Sequence, residues 1–383
     1  MPNIFDYLTW RGDLSFIRSE FNAIDNLILA RFSYFPLEQK LWGREEKITI
    51  KQAYERAIQQ GEIPDNKFLQ IEDKELFPAL AESERFGNLW ITKYVNKISK
   101  EEEKQFSAVT ILLPDNTIYV AYRGTDNTLV GWKEDFNMSF SSNVPSQKDA
   151  VVYLEEVAKQ YKGKIRVGGH SKGGNLAIYA AIFCQDKIKR RIIEAYNNDG
   201  PGFNEEVILT KQYKEILDRI YTYVPQSSVI GRLLYHEEKY MVIKSTQTGL
   251  MQHDLYSWQV TGNDFIYLDE VTDGSQFADK MIKDWLNGVK PEQRSEFIDI
   301  LFNILNSTDA QTLSELSSNW LKSARLLVKA YTTTDEESKK IIMQTLASLL
   351  SITKDSILST IKKTGKQESN KRLEVKETKL LKG

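Results

Sequence analysis

Gly169-His170-Ser171-Lys172-Gly173 sets one serine between two glycines, in the G-x-S-x-G spacing of a nucleophile elbow. The surrounding run "IRVGGHSKGGNLAIYAA", residues 165–181, reads as a strand, a tight turn and an apolar helix. A serine at such a corner projects its hydroxyl beyond the strand end, and the helix behind it aims its positive end at developing negative charge. The glycines answer a steric demand, because side chains in so sharp a turn would strike neighbouring backbone. The chemistry that fits is nucleophilic attack, against the plainer reading of Ser171 as one small turn residue. A phosphate loop fits poorly, since Lys172 precedes the second glycine and Asn175 fills no Ser/Thr position. The glycine spacing of a dinucleotide fingerprint is missing too, so no cofactor is expected.

At this corner the chain resembles a known group. "GGHSKGGNLAIYAA" is similar to the "GHSLGG" elbow of class 3 lipases in the α/β-hydrolase superfamily, and "VAYRGTDNTLVGWKEDF" upstream is similar to their "RGT…W…D" segment. "IFDYLTWRGDLSF", "YNNDGPGF", "VPQSSVIGRLLYHEEKY" and "QHDLYSWQV" resemble a bacterial branch, the Mbeg-like proteins. The resemblance spans residues 2–275. It implies two oxyanion donors: the backbone N–H of Lys172, and Thr125 through its N–H and its hydroxyl. Trp132 and Asp135 match the rest of the upstream motif and are read as structural, with Asp135 pairing Arg123. Lys172 departs from the lipases, which carry an apolar residue there. It is either a solvated side chain at the helix start or a cation that draws in an anionic substrate, such as a phospholipid head group or acyl phosphate.

The base must come from three histidines, His170, His236 and His253. In α/β-hydrolases the order is serine, acid, histidine. His170 abuts the serine and precedes it. His236, in "YHEEKY", reads as a surface histidine. His253, in the polar loop "TGLMQHDLYSW" after the last clear strand, is the preferred base, with His236 or no histidine as alternatives. The resemblance calls for an aspartate where this chain has "YVPQSSVIG", so Ser227 or Ser228 fills that slot. Asp199, one strand earlier in "YNNDGPGF", is the preferred acid. The alternative makes Asp199 a turn residue bonding the Gly200 or Gly202 N–H, with a serine hydroxyl or Glu237 orienting the base.

Elements able to hold these residues follow from periodicity. Phe16, Ile17, Phe21, Ile24, Leu27 and Ile28 predict a helix within 12–36. "NLWITKYVNKIS", "QFSAVTILLP" and "TIYVAYRGT" predict strands, followed by a helix over 149–161 and strands in "KIRVGG", "RIIEAYNNDGPG", "LDRIYTYVPQ" and "KYMVIKST". The fold class expected is α/β: an α/β-hydrolase fold with a mostly parallel central sheet, an N-terminal helix and a C-terminal helical appendage. Residues 1–275 form the hydrolase domain and 276–363 the amphipathic appendage, where Leu313, Leu316, Trp320, Leu326 and Leu327 share one stripe. The charged segment 364–383 is expected to be disordered.

Composition sets outer limits. Fifty-one basic against 53 acidic residues leave a net charge of −2, which gives no reason to expect nucleic acid as a partner. A single cysteine, Cys184, excludes an internal disulfide and a cysteine zinc site, so no metal is expected. The opening residues carry no basic region followed by an apolar stretch, and the expected compartment is the cytoplasm. Lysines alternating with apolar residues over 334–363 leave peripheral membrane contact as a lesser expectation, and the oligomeric state stays open. The function expected is a serine hydrolase cleaving a lipid-like carboxylic ester or a thioester through an acyl-enzyme at Ser171. The competing reading is a catalytically inactive hydrolase-fold protein that binds a small-molecule or lipid ester.

Overall fold

The computed structural model describes residues 1–306 apart from 39–40, 60–67, 127, 139–142, 277–278 and 281–289, and also residues 336, 339 and 340. Its frame is a nine-stranded sheet. The strands in chain order are β1 (Lys47–Thr49), β2 (Trp90–Ser99), β3 (Lys104–Leu112), β4 (Ile118–Tyr122), β5 (Ile165–His170), β6 (Ile192–Asn198), β7 (Ile220–Pro225), β8 (Tyr240–Ile243), β9 (Val260–Thr261), β10 (Asp264–Phe265) and β11 (Tyr267–Leu268). The sheet runs β1-β2-β3-β4-β5-β6-β7-β8-β11, while β9 and β10 form a separate hairpin.

The pairings from β4 through β8 are parallel; those among β1 to β4, and β8 with β11, are antiparallel. Parallel order therefore holds at the centre, where each strand is buried on both faces, and gives way to hairpin pairing at the edges. β4 illustrates the cause: "IYVAY" is apolar without alternation and all five residues are buried. The central strands end on one edge, and the segments after β4, β5, β6 and β7 gather there.

Helices among the described residues include α1 (Ile4–Arg11), α2 (Ala23–Phe32), α3 (Ile50–Gln59), α4 (Asp73–Glu82), α5 (Leu129–Asn137), α6 (Pro145–Gln160) and α7 (Lys172–Phe183), with short helices on either side of β6. One core layer joins α1–α4 to a face of the sheet through residues such as Leu27, Phe32, Phe77 and Tyr119. On the opposite face α6 and α7 pack Leu154, Val157, Leu176 and Ala180 against β4 to β6. α7 is buried from Lys172 to Ile182, so it is apolar nearly all round, as a helix inserted between sheet and outer helices must be.

The helix expected within 12–36 begins only at Ala23. Asn22 caps it, accepting the Ile24 and Asp25 N–H groups, and Asp25 returns a bond to the Asn22 N–H. This capping box stops the helix from extending backward. Phe16 and Phe21 reach the core from turns, whereas Ile17 is exposed.

Beyond 275 the helix Pro291–Asn306 starts at its proline and packs Ile298 and Phe302 on α5, with Asp299 2.7 Å from Lys133. Most of the expected appendage, including Leu313, Leu316, Trp320, Leu326 and Leu327, lies outside the described residues, as does the segment 364–383. No helix among the described residues is long and apolar enough to cross a membrane.

Candidate active site

Ser171 follows β5 directly and has φ 58° and ψ −135°, a conformation that side chains rarely adopt. Close packing holds it there. A Cβ on Gly169 would sit 2.3 Å from the Gly173 carbonyl, and one on Gly173 would sit 2.1 Å from the Tyr122 carbonyl oxygen. The Ser171 N–H donates to the Asn198 carbonyl at 3.0 Å. Beneath the turn, Asn198 Nδ2 donates to the Gly169 carbonyl at 2.9 Å, and Asn26 Nδ2 donates to Asn198 Oδ1 at 2.9 Å. A strained residue persists only where its surroundings over-determine it, and this corner is fixed from three sides.

Asp199 is the residue after β6, and it too has a positive φ, 52°. Its N–H donates to the Tyr223 carbonyl at 2.8 Å, and its carboxylate is buried. One oxygen, Oδ2, lies 2.6 Å from His253 Nδ1. The other, Oδ1, accepts the Ser228 hydroxyl at 2.5 Å. Gly231 allows this approach, since a Cβ there would meet Asp199 Oδ1 at 2.2 Å. Gly200 N–H bonds Asn197 Oδ1, so the turn needs nothing from the Asp199 side chain. Glu237 is engaged elsewhere, with Lys214.

His253 closes a short 3-10 turn, Gly249–His253, and its side chain stays about a quarter exposed. Several contacts fix that turn beside the elbow. The ring of His170 lies 4.5 Å from that of His253, and its Nε2–H donates to the His253 carbonyl at 2.8 Å. Gln252 Oε1 accepts the Ser227 N–H at 2.7 Å, and the Trp258 indole donates to the Gln252 carbonyl at 2.9 Å. Tyr34 donates to the His170 carbonyl at 3.2 Å. Burial, with the nearby His253 and Arg31, holds His170 well below its ordinary range, so this ring is a neutral tether. Because a carboxylate only accepts, His253 Nδ1 is the donor in its bond to Asp199.

The loop after β4 forms the facing wall. A Cβ on Gly124 would come within 3.2 Å of Ser171 Cβ and 2.5 Å of the His170 carbonyl, so only glycine lets this loop approach the corner. Thr125 follows it. The Thr125 hydroxyl donates to Asp135 Oδ2 and is thus committed away from any ligand, leaving the backbone N–H as that residue's donor. Burial pushes the Asp135 carboxyl up to about 6, against the pull of the Lys172 ammonium and the Thr125 hydroxyl.

Three expectations are corrected here. Lys172 is neither solvated nor aimed at a ligand: its side chain is buried, with Nζ 3.0 Å from Glu134 and 3.5 Å from Asp135. A lysine can be buried at this helix start because two carboxylates meet it. Asp135 does not pair Arg123, whose guanidinium instead reaches Asp126 and Asn96. His236 is not a surface residue; its side chain is only 8% exposed, and Nδ1 bonds Glu238 at 2.9 Å. Trp132, read as structural, stands 37% exposed on α5. Sequence reasoning passed over Glu134, Tyr34, Asn26 and Gln252. No local pattern marks them, because their partners come from distant parts of the chain. Among the described residues no three His, Cys, Asp or Glu side chains converge as a metal site.

A family model described as Mbeg1-like matches residues 80–303, more than half of the chain. No curated protein sequence matches. Among solved structures, the native Rhizomucor miehei lipase propeptide complex is similar at 16% identity and a TM-score of 0.34, covering 46% of this chain and 70% of that one. An M37 lipase is similar at 14% identity and a TM-score of 0.33, over 54% of this chain and 68% of that one. A triacylglycerol lipase from Penicillium expansum has 10% identity and a TM-score of 0.29, over 46% and 76%.

Proposed function

This chain belongs to the Mbeg1-like family, and from that premise and the geometry around Ser171 we propose a serine hydrolase of α/β-hydrolase type, acting on carboxylic esters or thioesters. The observation that carries the reading is the 2.6 Å contact between His253 Nδ1 and Asp199, made beside the strained serine corner. Strain of this kind is stored where function requires it.

In the proposed reaction Ser171 Oγ bonds the carbonyl carbon while its proton passes to His253 Nε2. Asp199 stabilises the imidazolium that results. The carbonyl oxygen becomes an oxyanion facing the N–H groups of Lys172 and Thr125. Collapse breaks the bond to the leaving alcohol or thiol, which takes the proton from His253, and an acyl-Ser171 remains. Water then gives a proton to His253 and attacks the acyl carbon. The acid departs as Ser171 regains its proton.

A neutral, apolar acyl substrate suits the surroundings better than an anionic one. Lys172, the cation nearest the nucleophile in sequence, is already neutralised by Glu134 and Asp135. Met251 is exposed two residues before His253, and Leu69 and Ile71 are exposed on the segment whose Gln70 bonds Asp254. A small-molecule or lipid ester in the cytoplasm is the substrate class this reading supports.

A fluorophosphonate probe tests the proposal on the full chain, with Ser171→Ala as control. Labelling that disappears in the control, together with turnover of p-nitrophenyl esters, is the expected result. Equal labelling of both proteins, or none of either, would leave a ligand-binding scaffold as the better account.

A further inference from the structure

Lys172 raises a question that ester hydrolysis alone does not answer. Its side chain is 1% exposed, at a position where the lipase elbows resembled by this chain carry an apolar residue. An apolar side chain would fill the space without desolvating a charge, whereas a buried ammonium is costly unless it is well paired.

The pairing follows a particular route. Lys172 Nζ meets Glu134 at 3.0 Å and Asp135 at 3.5 Å, both on α5. Glu134 also accepts the Gln105 N–H at 2.9 Å, the Ser146 N–H at 2.9 Å and the Ser146 hydroxyl at 2.7 Å. It thereby fastens the start of β3 and the first turn of α6 to the same cation. Asp135 accepts the Thr125 hydroxyl. On the proposed mechanism a single lysine thus supplies one oxyanion N–H, while its ammonium lies beside the carboxylate that accepts the hydroxyl of Thr125, the residue supplying the other.

We propose that Lys172 is a positioning residue: its buried ammonium, through Asp135 and the Thr125 hydroxyl, fixes the spacing between the Lys172 and Thr125 N–H donors. The inference rests on the hydrolase reading and adds a component to it. The two donors lie on segments far apart in sequence, the loop after β4 and the start of α7. A rigid link between them keeps both aimed at a developing oxyanion without reorganisation during the reaction.

Removing the lysine alone would strand Glu134 as a buried unpaired carboxylate, so the test uses Lys172→Met together with Glu134→Gln in the full chain. Thermal melting checks that this double variant folds. The kcat and KM for p-nitrophenyl butyrate, and the maximal rate of fluorophosphonate inactivation, are then measured. The expected result is a fall in kcat and in inactivation rate on the order of tenfold to a hundredfold, with KM within about twofold of wild type. Adding Thr125→Val to the double variant is expected to cost nothing further, because the link is already cut. If the double variant does not fold, Asp135→Ala leaves the Lys172–Glu134 pair in place and, having no acceptor for the Thr125 hydroxyl, severs the same link, and its expected kcat loss equals that of Thr125→Val.

A folded double variant with wild-type kcat overturns the proposal, as do losses that multiply when Thr125→Val is added, or an Asp135→Ala variant with wild-type kcat. A wild-type protein that never reacts with fluorophosphonate sinks the hydrolase reading and this inference with it. A reactive wild type with an equally reactive double variant sinks this inference alone.

Discussion

The Ser228 hydroxyl donates to Asp199 Oδ1 at 2.5 Å, while the other oxygen of that carboxylate lies 2.6 Å from His253 Nδ1. β6 and β7 are parallel neighbours with Asn198 opposite Tyr223, so the segments following them arrive together. The end of β7, where the lipase resemblance calls for an aspartate, supplies a hydroxyl, and the end of β6 supplies the charge. On the proposed mechanism, Asp199→Asn lowers kcat on the order of a hundredfold to ten-thousandfold. Exchanging the pair, as Asp199→Ser with Ser228→Asp, moves the carboxylate across one strand and is expected to recover at least about tenfold of that loss. Ester hydrolysis rates of the purified variants check this, and an exchange variant no faster than Asp199→Asn would show that only the β6 position can serve His253.

The serine corner makes a stability prediction that does not depend on turnover. At φ 58° a Cβ is strained, so Ser171→Gly is expected to be more stable than Ser171→Ala by about 1 kcal/mol. Gly173→Ala acts in the opposite direction. Its methyl would lie 2.1 Å from the Tyr122 carbonyl oxygen, and the expected cost is about 3 kcal/mol or loss of folding. Urea unfolding of the variants measures both, and a Gly173→Ala protein as stable as wild type would mean that the corner can relax.

What the sequence made legible was local. The elbow could be read because a positive φ and close backbone contacts demand glycines at fixed offsets, and the central strands because both of their faces are buried. The environment of Lys172 could not be read. A lysine at a helix start is usually solvated, and its burial depends on two α5 carboxylates that only the folded chain brings beneath it. Asp199 was one option among several for a similar reason. Whether an aspartate after a strand faces a histidine depends on which strands are neighbours and in what register. The 12–36 helix was overextended because aromatic spacing in a turn mimics a helical stripe, and the Asn22 capping box outweighs that pattern.

Asp135 gives an acid dependence of unusual sign. Its carboxyl is raised from 3.8 to about 6 by burial, so the folded chain binds this proton more readily than the unfolded chain does. That group therefore adds stability as pH falls from about 6 toward 3.8, and subtracts it as pH rises back through that window. Asp135→Asn removes the uptake. Its melting temperature is expected to fall more steeply than that of wild type as pH is lowered across the same interval. Parallel curves for the two proteins would show that Asp135 titrates alike in folded and unfolded chains.

The histidines His253 and His236 are expected to respond in opposite ways. His253 faces Asp199 and remains partly exposed, so His253→Ala should abolish Ser171 labelling and ester turnover while the melting temperature stays near that of wild type. His236 belongs to a buried polar cluster. Its Nδ1 bonds Glu238, and Glu238 also accepts the hydroxyls of Thr222 and Tyr213. Burial alone would raise the Glu238 carboxyl, but hydrogen bonds from His236, Thr222 and Tyr213 outweigh it and hold the group at about 2. A carboxyl depressed in this way stabilises the fold above its unfolded value of 4.5 and loses that contribution as pH falls toward 2. Glu238→Gln should cost on the order of 3 kcal/mol at neutral pH, a difference from wild type that shrinks as pH drops through that interval. His236→Ala should be similarly destabilised, yet keep normal turnover per folded molecule. Denaturation curves at neutral and acid pH, paired with active-site titration, separate the two histidines; loss of turnover in a folded His236→Ala protein would move the base away from His253.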